Sequence, residues 1–468
     1  MQLTGQNLPF GREDRRAGLR RAGLWLLLIG VGVLVIWLRF TGQVDPLFLP
    51  EPTPTRTALS FAEEGKTYFS AGDLGRAIQA YQQAVDLVPT DSQLLAELAR
   101  IRTYFSAQRA SAEERRAQLV EARQAADAAV QANPDNGYAH AIRALAYDWS
   151  ATEEQGATRE GFLTEALNAA VRAVQLEPPG SPVRALALAF RAEVLTDQQR
   201  YAEALDSAAQ AAALAPDSVD VHRVYGTVLQ STGLYRQSIE EYLRAAEINP
   251  NLTFLYIQIG ANYRRLKDTE RSLEYFDRAV KINQQLGIQD PGPYQAIART
   301  YLQEGEFFIA ARNMERALLI DEGNAGFWGF LGVIYYKARN YESAEQVLRC
   351  AVDGCSAEES RALICELNIA ACDPNDPNDP VGLQVGKEIA AQPLSDAVLE
   401  AYYTYGSVLA FNKKCDAAER VFRALLAGYG GDPIVAGIVA DNRDLCAASA
   451  ASTPQGTPAP SPTPVGSN

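Results

Sequence analysis

Two histidines and six cysteines are the side chains of this sequence best suited to metal or redox chemistry. His140 and His222 stand 82 residues apart, and neither has metal-ligand spacing to a second His or to a Cys. Both read as ordinary helix residues, and no metal site is expected. The cysteines, Cys350, Cys355, Cys365, Cys372, Cys415 and Cys446, gather toward the C-terminal end. With no CxxC and no neighbouring His, disulfides are the expected chemistry if this part lies outside the cytoplasm; inside, buried thiols are the alternative. Cys365 and Cys372 fall in a helix-like stretch, SRALICELNIAAC. Two helical turns would separate their Cα atoms by about 10.5 Å, too far to bond. Cross-pairing with Cys350 and Cys355 is therefore expected, with Cys415 bonded to Cys446. The acidic run DPNDPNDP at 373–380 lacks the glycine and the distal glutamate of an EF-hand and reads as a turn-rich insertion. No phosphate-binding glycine loop, nucleophile elbow or HExxH occurs. Acidic pairs such as Glu240 and Glu241 fall on polar helix faces. Catalytic residues and a cofactor are not expected, and the chain reads as a non-enzyme.

The rest of the sequence must supply a scaffold. Its 468 residues are 47% hydrophobic and 21% charged, a globular balance. That length exceeds what one compact core organises, unless the core is quasi-linear. The formal net charge of −14 argues against nucleic-acid binding, because a phosphate backbone would be repelled.

Residues 22–38, AGLWLLLIGVGVLVIWL, carry no charge. As a helix they span about 26 Å, near the lower limit for a membrane crossing. The snorkelling stem of Arg39 and Phe40 extend the span, and Trp25 and Trp37 stand near its ends, where amphipathic rings favour the interface. Arg12, Arg15, Arg16, Arg20 and Arg21 precede it, whereas only Arg39 and Arg56 follow before the folded part. The positive-inside rule thus predicts a single-pass protein with a cytoplasmic N-terminus and an extracytoplasmic body. A cleaved signal peptide is the rival, disfavoured by the absence of an A-x-A-like site in IWLRFTGQ. The expected layout is a basic segment (1–21), a transmembrane helix (22–41), a proline-spaced linker (42–57), a folded body (58–446, cysteine-rich over 350–446) and a disordered Ser/Thr/Pro tail (447–468).

The body is self-similar. In residues 58–91, Phe61, Glu64, Gly65 and Tyr68 share one helix, Gly72 and Asp73 make a turn, and Leu74, Ala77, Tyr81 and Ala84 share a second helix ended by Pro89. The register returns at Tyr225, Gly226, Leu229, Gly233, Tyr242, Ala245 and Pro250, then at Gly260, Tyr263, Phe276 and Ala279. It continues through Ala298, Tyr301, Gly305 and Ala310, through Leu331, Gly332, Tyr335 and Ala344, and through Tyr405, Gly406, Ala418 and Phe422. The closing prolines Pro89, Pro134, Pro178, Pro216 and Pro250 step by 45, 44, 38 and 34 residues. The second and third units thus carry about ten extra residues, expected near the turn between their helices. Nine units result, covering about four-fifths of the chain, with a capping helix at 434–446.

This pattern resembles the tetratricopeptide repeat (TPR), in its membrane-anchored bacterial form. The resemblance implies an all-α, right-handed superhelical solenoid of antiparallel helix pairs, a helix A and a helix B per unit, stabilised by stacking. It further implies a concave surface lined by helix A. Carried onto the units that begin at Thr253, Pro291 and Ala325, that surface comprises Phe254, Ile257, Arg264, Arg265, Gln295, Arg299, Leu302, Tyr336 and Lys337; the last unit adds Tyr403 and Phe411. Cations and aromatics there would suit a partner protein or peptide with acidic and apolar side chains. The Lys/Asn clamp by which some members hold a terminal carboxylate is absent: its positions hold Arg223 with Thr227 and Ile257 with Ala261. A membrane-anchored protein-binding scaffold is the expected function, and a carbohydrate-binding or enzyme-accessory module of the cell envelope is the alternative.

Overall fold

The computed structural model describes residues 15–41, 56–373, 376 and 379–451. The basic segment before residue 15, most of the linker, part of the 373–380 run and most of the tail lie outside the described residues. The chain forms two units, residues 1–56 and 57–468. In the first, α1 (Arg15–Phe40) contains a 19-residue apolar stretch, Arg20–Leu38, long and apolar enough to cross a membrane.

The second unit is built from helices. They are α2 (Ala58–Ser70), α3 (Leu74–Leu87), α4 (Ser92–Ser106), α5 (Ala112–Ala132), α6 (Gly137–Thr152), α7 (Gly156–Leu176), α8 (Pro182–Asp197), α9 (Tyr201–Leu214), α10 (Val219–Ser231) and α11 (Tyr235–Ile248). They continue with α12 (Thr253–Arg265), α13 (Thr269–Leu286), α14 (Gly292–Gln303), α15 (Phe307–Ile320), α16 (Ala325–Lys337), α17 (Tyr341–Asp353), α18 (Ala357–Glu366), α19 (Leu399–Phe411), α20 (Cys415–Tyr429) and α21 (Pro433–Ala451). From α2 to α17 consecutive helices pair in eight units; α19 and α20 make the ninth, and α21 packs on α19.

Local chemistry explains the pairing. Helices begin where a short polar side chain can accept from a free backbone N–H, as Asp73 does from Arg76, Asn136 from Ala139 and Ser218 from Val221. In seven of the nine units the turn from helix A to helix B passes through a left-handed residue: Gly72, Gly233 and Gly305 in three, Gln199, Lys267, Arg339 and Lys413 in four. Helix A then meets helix B through a missing side chain. A Cβ on Gly65 would fall 2.4 Å from Tyr81, one on Gly260 2.6 Å from Phe276, and one on Gly406 2.6 Å from Phe422. The aromatic ring of helix B thus occupies the space that the glycine of helix A leaves open. Alanines such as Ala77, Ala84, Ala245 and Ala279 are fully buried between the helices.

The extra residues of the second and third units are not a loop. They lengthen the helices: α5 and α7 each have 21 residues, against 14 in α3. The buried apolar side chains fall into two large clusters, one from Phe69 to Ala279 and one from Ala298 to Val439. The division falls at the α13–α14 connection, where Gly287 ends α13 in the left-handed conformation.

The cysteine pairing differs from the sequence expectation. Cys365 bonds Cys372 and Cys350 bonds Cys355, with Cα separations of 5.0 and 4.9 Å. The expectation assumed unbroken helix from Cys365 to Cys372, but α18 stops at Glu366 and Asn368 turns left-handed (φ 54°), folding the chain back. Gly354 (φ 81°) reverses the chain similarly between Cys350 and Cys355. Cys415 bonds Cys446 with Cα atoms 5.7 Å apart, tying α20 to α21. Between α17 and α19 the chain is inserted material, held by α18, by paired backbone hydrogen bonds between Cys355 and Ile389, and by Ser360 Oγ donating to the Lys387 carbonyl at 2.6 Å. It does not interrupt the stack, because α19 packs directly against α16 and α17.

Candidate functional site

Helix A of each unit presents its inner face to the axis of the solenoid, and the two halves use that face differently. In the N-terminal half, side chains from distant units meet across it. Asn249 Nδ2 donates to the Phe69 carbonyl at 3.1 Å across 180 residues of chain. Gly72 lies so close to Asn251 that a Cβ would fall 2.4 Å from its side chain, and its φ is 77°. This turn needs a glycine on both counts. The first two units therefore touch the fifth and sixth, and the superhelix closes on itself.

A buried polar network lines this closure. Tyr104, on α4, donates a hydrogen bond to Asp220 of α10. Arg100 Nη2 stands 2.7 Å from the other oxygen of Asp220, and its guanidinium lies 4.6 Å above the Phe69 ring. Arg223 donates to both oxygens of Glu193, at 2.6 and 2.7 Å, and packs on the rings of Tyr104 and Trp149. Burial by itself would raise the Asp220 carboxyl, but Arg100, Tyr104 and Arg223 hold it below the ordinary range. Phe254, expected to meet a partner, stacks on Tyr104 at 5.8 Å instead, and Ile257 is half-buried against the same core. Both are half-buried.

The C-terminal part, from the end of α12 onward, is different. Arg264 and Arg265 end α12, and Arg299 projects from α14. Arg264 donates to the Ala296 carbonyl at 3.2 Å, which ties α12 to α14. Burial, then the nearby positive charges of Arg299 and Arg265, lower its affinity for its proton. Among the described residues none of these three arginines forms an ion pair with a carboxylate, although the unit is acidic overall. Arg299 lies 4.8 Å above the Phe330 ring. It borders a cleft of about 200 Å³ that also touches Gly329, Val333, Ala401 and Tyr402. The acidic residues of that cleft are engaged elsewhere: Glu400 stands 4.0 Å from Lys337, and Asp396 accepts from the Tyr429 hydroxyl at 2.6 Å.

The remaining expected residues lie along this half without converging on one point. Gln295 is half-buried on α14, and Leu302 and Tyr403 rest against the C-terminal core. Tyr336 contacts Tyr341 at 5.7 Å, Tyr341 contacts Phe411 at 4.0 Å, and Phe411 is 52% exposed. The sequence reading missed Phe330 and Tyr402. Phe330 stands two residues after Trp328, which is fully buried with its Nε1 donating to the Glu322 carbonyl at 2.8 Å, so the periodicity alone marked the region as core.

Models described as tetratricopeptide repeat match residues 60–91, 157–219, 255–286 and 296–359. A curated protein, anaphase-promoting complex subunit 3 of Schizosaccharomyces pombe, is 31% identical over 114 residues, covering 24% of this chain and 16% of that protein. Among solved structures, a thermophilic TPR protein of Thermus thermophilus is 19% identical over 44% of this chain and 98% of its own, with a TM-score of 0.36. A human IFIT1 dimer with m7Gppp-AAAA is 14% identical over 81% of this chain and 74% of its own, with a TM-score of 0.45. With the glycine-to-aromatic register repeated through its helix pairs and the repeat matched at four places along it, the chain carries tetratricopeptide repeats.

Proposed function

We propose that this protein is a membrane-anchored scaffold that captures an acidic, partly apolar segment of a partner protein along helix A of its sixth to ninth units. TPR solenoids are protein-interaction scaffolds as a class. The observation that carries the finer reading is the trio Arg264, Arg265 and Arg299, clustered without carboxylate partners among the described residues beside the Phe330 ring and its cleft. Holding like charges together is unfavourable, and an anionic ligand relieves it. The apolar stretch Arg20–Leu38 supports a membrane anchor, its flanking arginines favour a cytoplasmic N-terminus, and three disulfides suit an extracytoplasmic body.

The test is crosslinking in native membranes, followed by capture with the variant R264E/R265E/R299E. Wild type is expected to retain an acidic partner and the triple variant to lose it, at an unchanged circular-dichroism melting temperature. Retention of the same partners by the folded variant overturns the assignment. The ledge of Tyr336, Tyr341 and Phe411 favours a second reading, glycan binding. Capture of glycans by the purified chain, lost in Phe411→Ala, would select it.

A further inference from the structure

The closed N-terminal half holds a second cavity, separate from the arginine cluster. It measures about 350 Å³ and is bordered by α6, α8, α10, α11 and α12. That size is at the small end of ligand pockets. Its walls are mixed in a definite way. Trp149 and Phe254 meet edge to face, with centroids 6.3 Å apart, and Tyr242 is fully buried beside Thr227, which shares a 3.0 Å hydrogen bond with its hydroxyl. Gln230 and Gln258 add amide groups, bonded to each other at 3.1 Å.

The charges do not balance. Glu193 is matched by Arg223, which it holds with both oxygens, and it also accepts from Trp149 Nε1 at 3.2 Å. Asp148 is not matched. Its side chain borders the cavity and the residue is only 1% exposed, yet neither carboxyl oxygen has a hydrogen-bond partner in the protein. Asp197 borders the same cavity; its main-chain carbonyl accepts from Arg159 at 3.4 Å. A buried carboxyl group without a partner is costly, and cores retain such groups where they have a use. Three acids, Asp148, Glu193 and Asp197, line the cavity against one cation, Arg223, which Glu193 already engages; burial, then Asp197 and Glu193, push the Asp148 carboxyl well up, and burial, then Glu193, pushes Asp197 up to about 6.

We infer that this cavity is a binding site for a small organic cation, an alkylammonium group held by the Asp148 carboxylate against the faces of Trp149 and Phe254. Asp148 supplies a charge-assisted hydrogen bond, and the two rings supply cation–π attraction. The proposed peptide surface uses other residues: Phe254 and Gln258 of α12 border this cavity, whereas Arg264 and Arg265 stand at the end of the same helix.

The experiment is calorimetric titration of the full-length protein with benzylamine, and with benzyl alcohol as a neutral probe of matching shape. Saturable binding of benzylamine is expected, with benzyl alcohol at least about tenfold weaker, the worth of one charged hydrogen bond. Asp148→Asn should weaken benzylamine by a similar factor and leave the benzyl alcohol signal unchanged. The same substitution should keep or raise the melting temperature of the ligand-free protein, because the amide removes a buried acid. Trp149→Phe should retain binding with a smaller loss. Absence of saturable binding, equal affinity for amine and alcohol, or an unchanged affinity in Asp148→Asn would each overturn the assignment.

Discussion

His222 is held in a way that favours its charged form. Its Nδ1 lies 2.6 Å from Glu241 and its Nε2 2.6 Å from the Pro216 carbonyl, so both ring nitrogens face acceptors. The hydrogen bond to Glu241 is the main cause that raises it above its ordinary value of 6.5, while burial and Arg244 act in the opposite sense. A raised folded-state value means that this stabilisation is complete below the unfolded value and is lost as pH rises through the folded one. Asp197, raised to about 6, acts in the same direction at lower pH, since the folded chain holds its proton more tightly than the unfolded chain does. The melting temperature of wild type should therefore fall as pH rises above 6.5, and His222→Gln should flatten that part of the profile. Parallel profiles for the two proteins would show that the Glu241 contact has no such role. Among the candidate-site residues, the arginine types and positions were legible from the sequence. That Arg223 is consumed by Glu193 was not, because the two lie 30 residues apart and meet only when the helices stack.

At the scale of the element, the informative case is α18. A helical reading of residues 360–372 made a bond between Cys365 and Cys372 impossible by distance. The helix instead ends at Glu366, and a left-handed Asn368 brings the two cysteines together. Helix propensity is a weak prior, and a closing disulfide together with two core residues, Ile369 and Ala370, outweighs it here. The capping box of Ser356 with Glu359 fixes where α18 starts; its end had no comparable mark. Non-reducing peptide mapping of the purified protein should return Cys350–Cys355, Cys365–Cys372 and Cys415–Cys446 with no free thiol. Recovery of a crossed peptide, Cys350 with Cys365 or Cys372, would restore the first expectation. Reduction should loosen α21 before the rest of the solenoid, since the Cys415–Cys446 bond fastens the capping helix to its neighbour.

At the scale of the whole body, repeat stacking usually gives near-neighbour contacts only. This chain adds a seam between its first two units and its fifth and sixth, and Asp220 stands at its centre, receiving Tyr104 and Arg100 from α4. Asp220→Ala removes the hydrogen bonds from Arg100 and Tyr104, while Arg100 keeps Glu97 at 3.2 Å, a change worth about 1–3 kcal/mol. It should lower the urea midpoint accordingly and increase the radius of gyration in solution scattering, because the seam that closes the superhelix opens. A variant that loses stability with no change in dimensions would mean that stacking alone fixes the curvature.

The sequence by itself determined the repeat: small residues facing aromatics at fixed spacing, polar caps and turn glycines are all local or near-neighbour signals. It also determined the apolar helix near the N-terminus and the clustering of cysteines. Only the tertiary structure decided which inner faces remain open. The seam joins residues more than a hundred positions apart, such as Tyr104 with Asp220 and Phe69 with Asn249. Small rotations from unit to unit accumulate into that meeting, and no single repeat encodes their sum. The same accumulation packs Phe254 against Tyr104, encloses Asp148 and leaves Arg264, Arg265 and Arg299 beyond the seam.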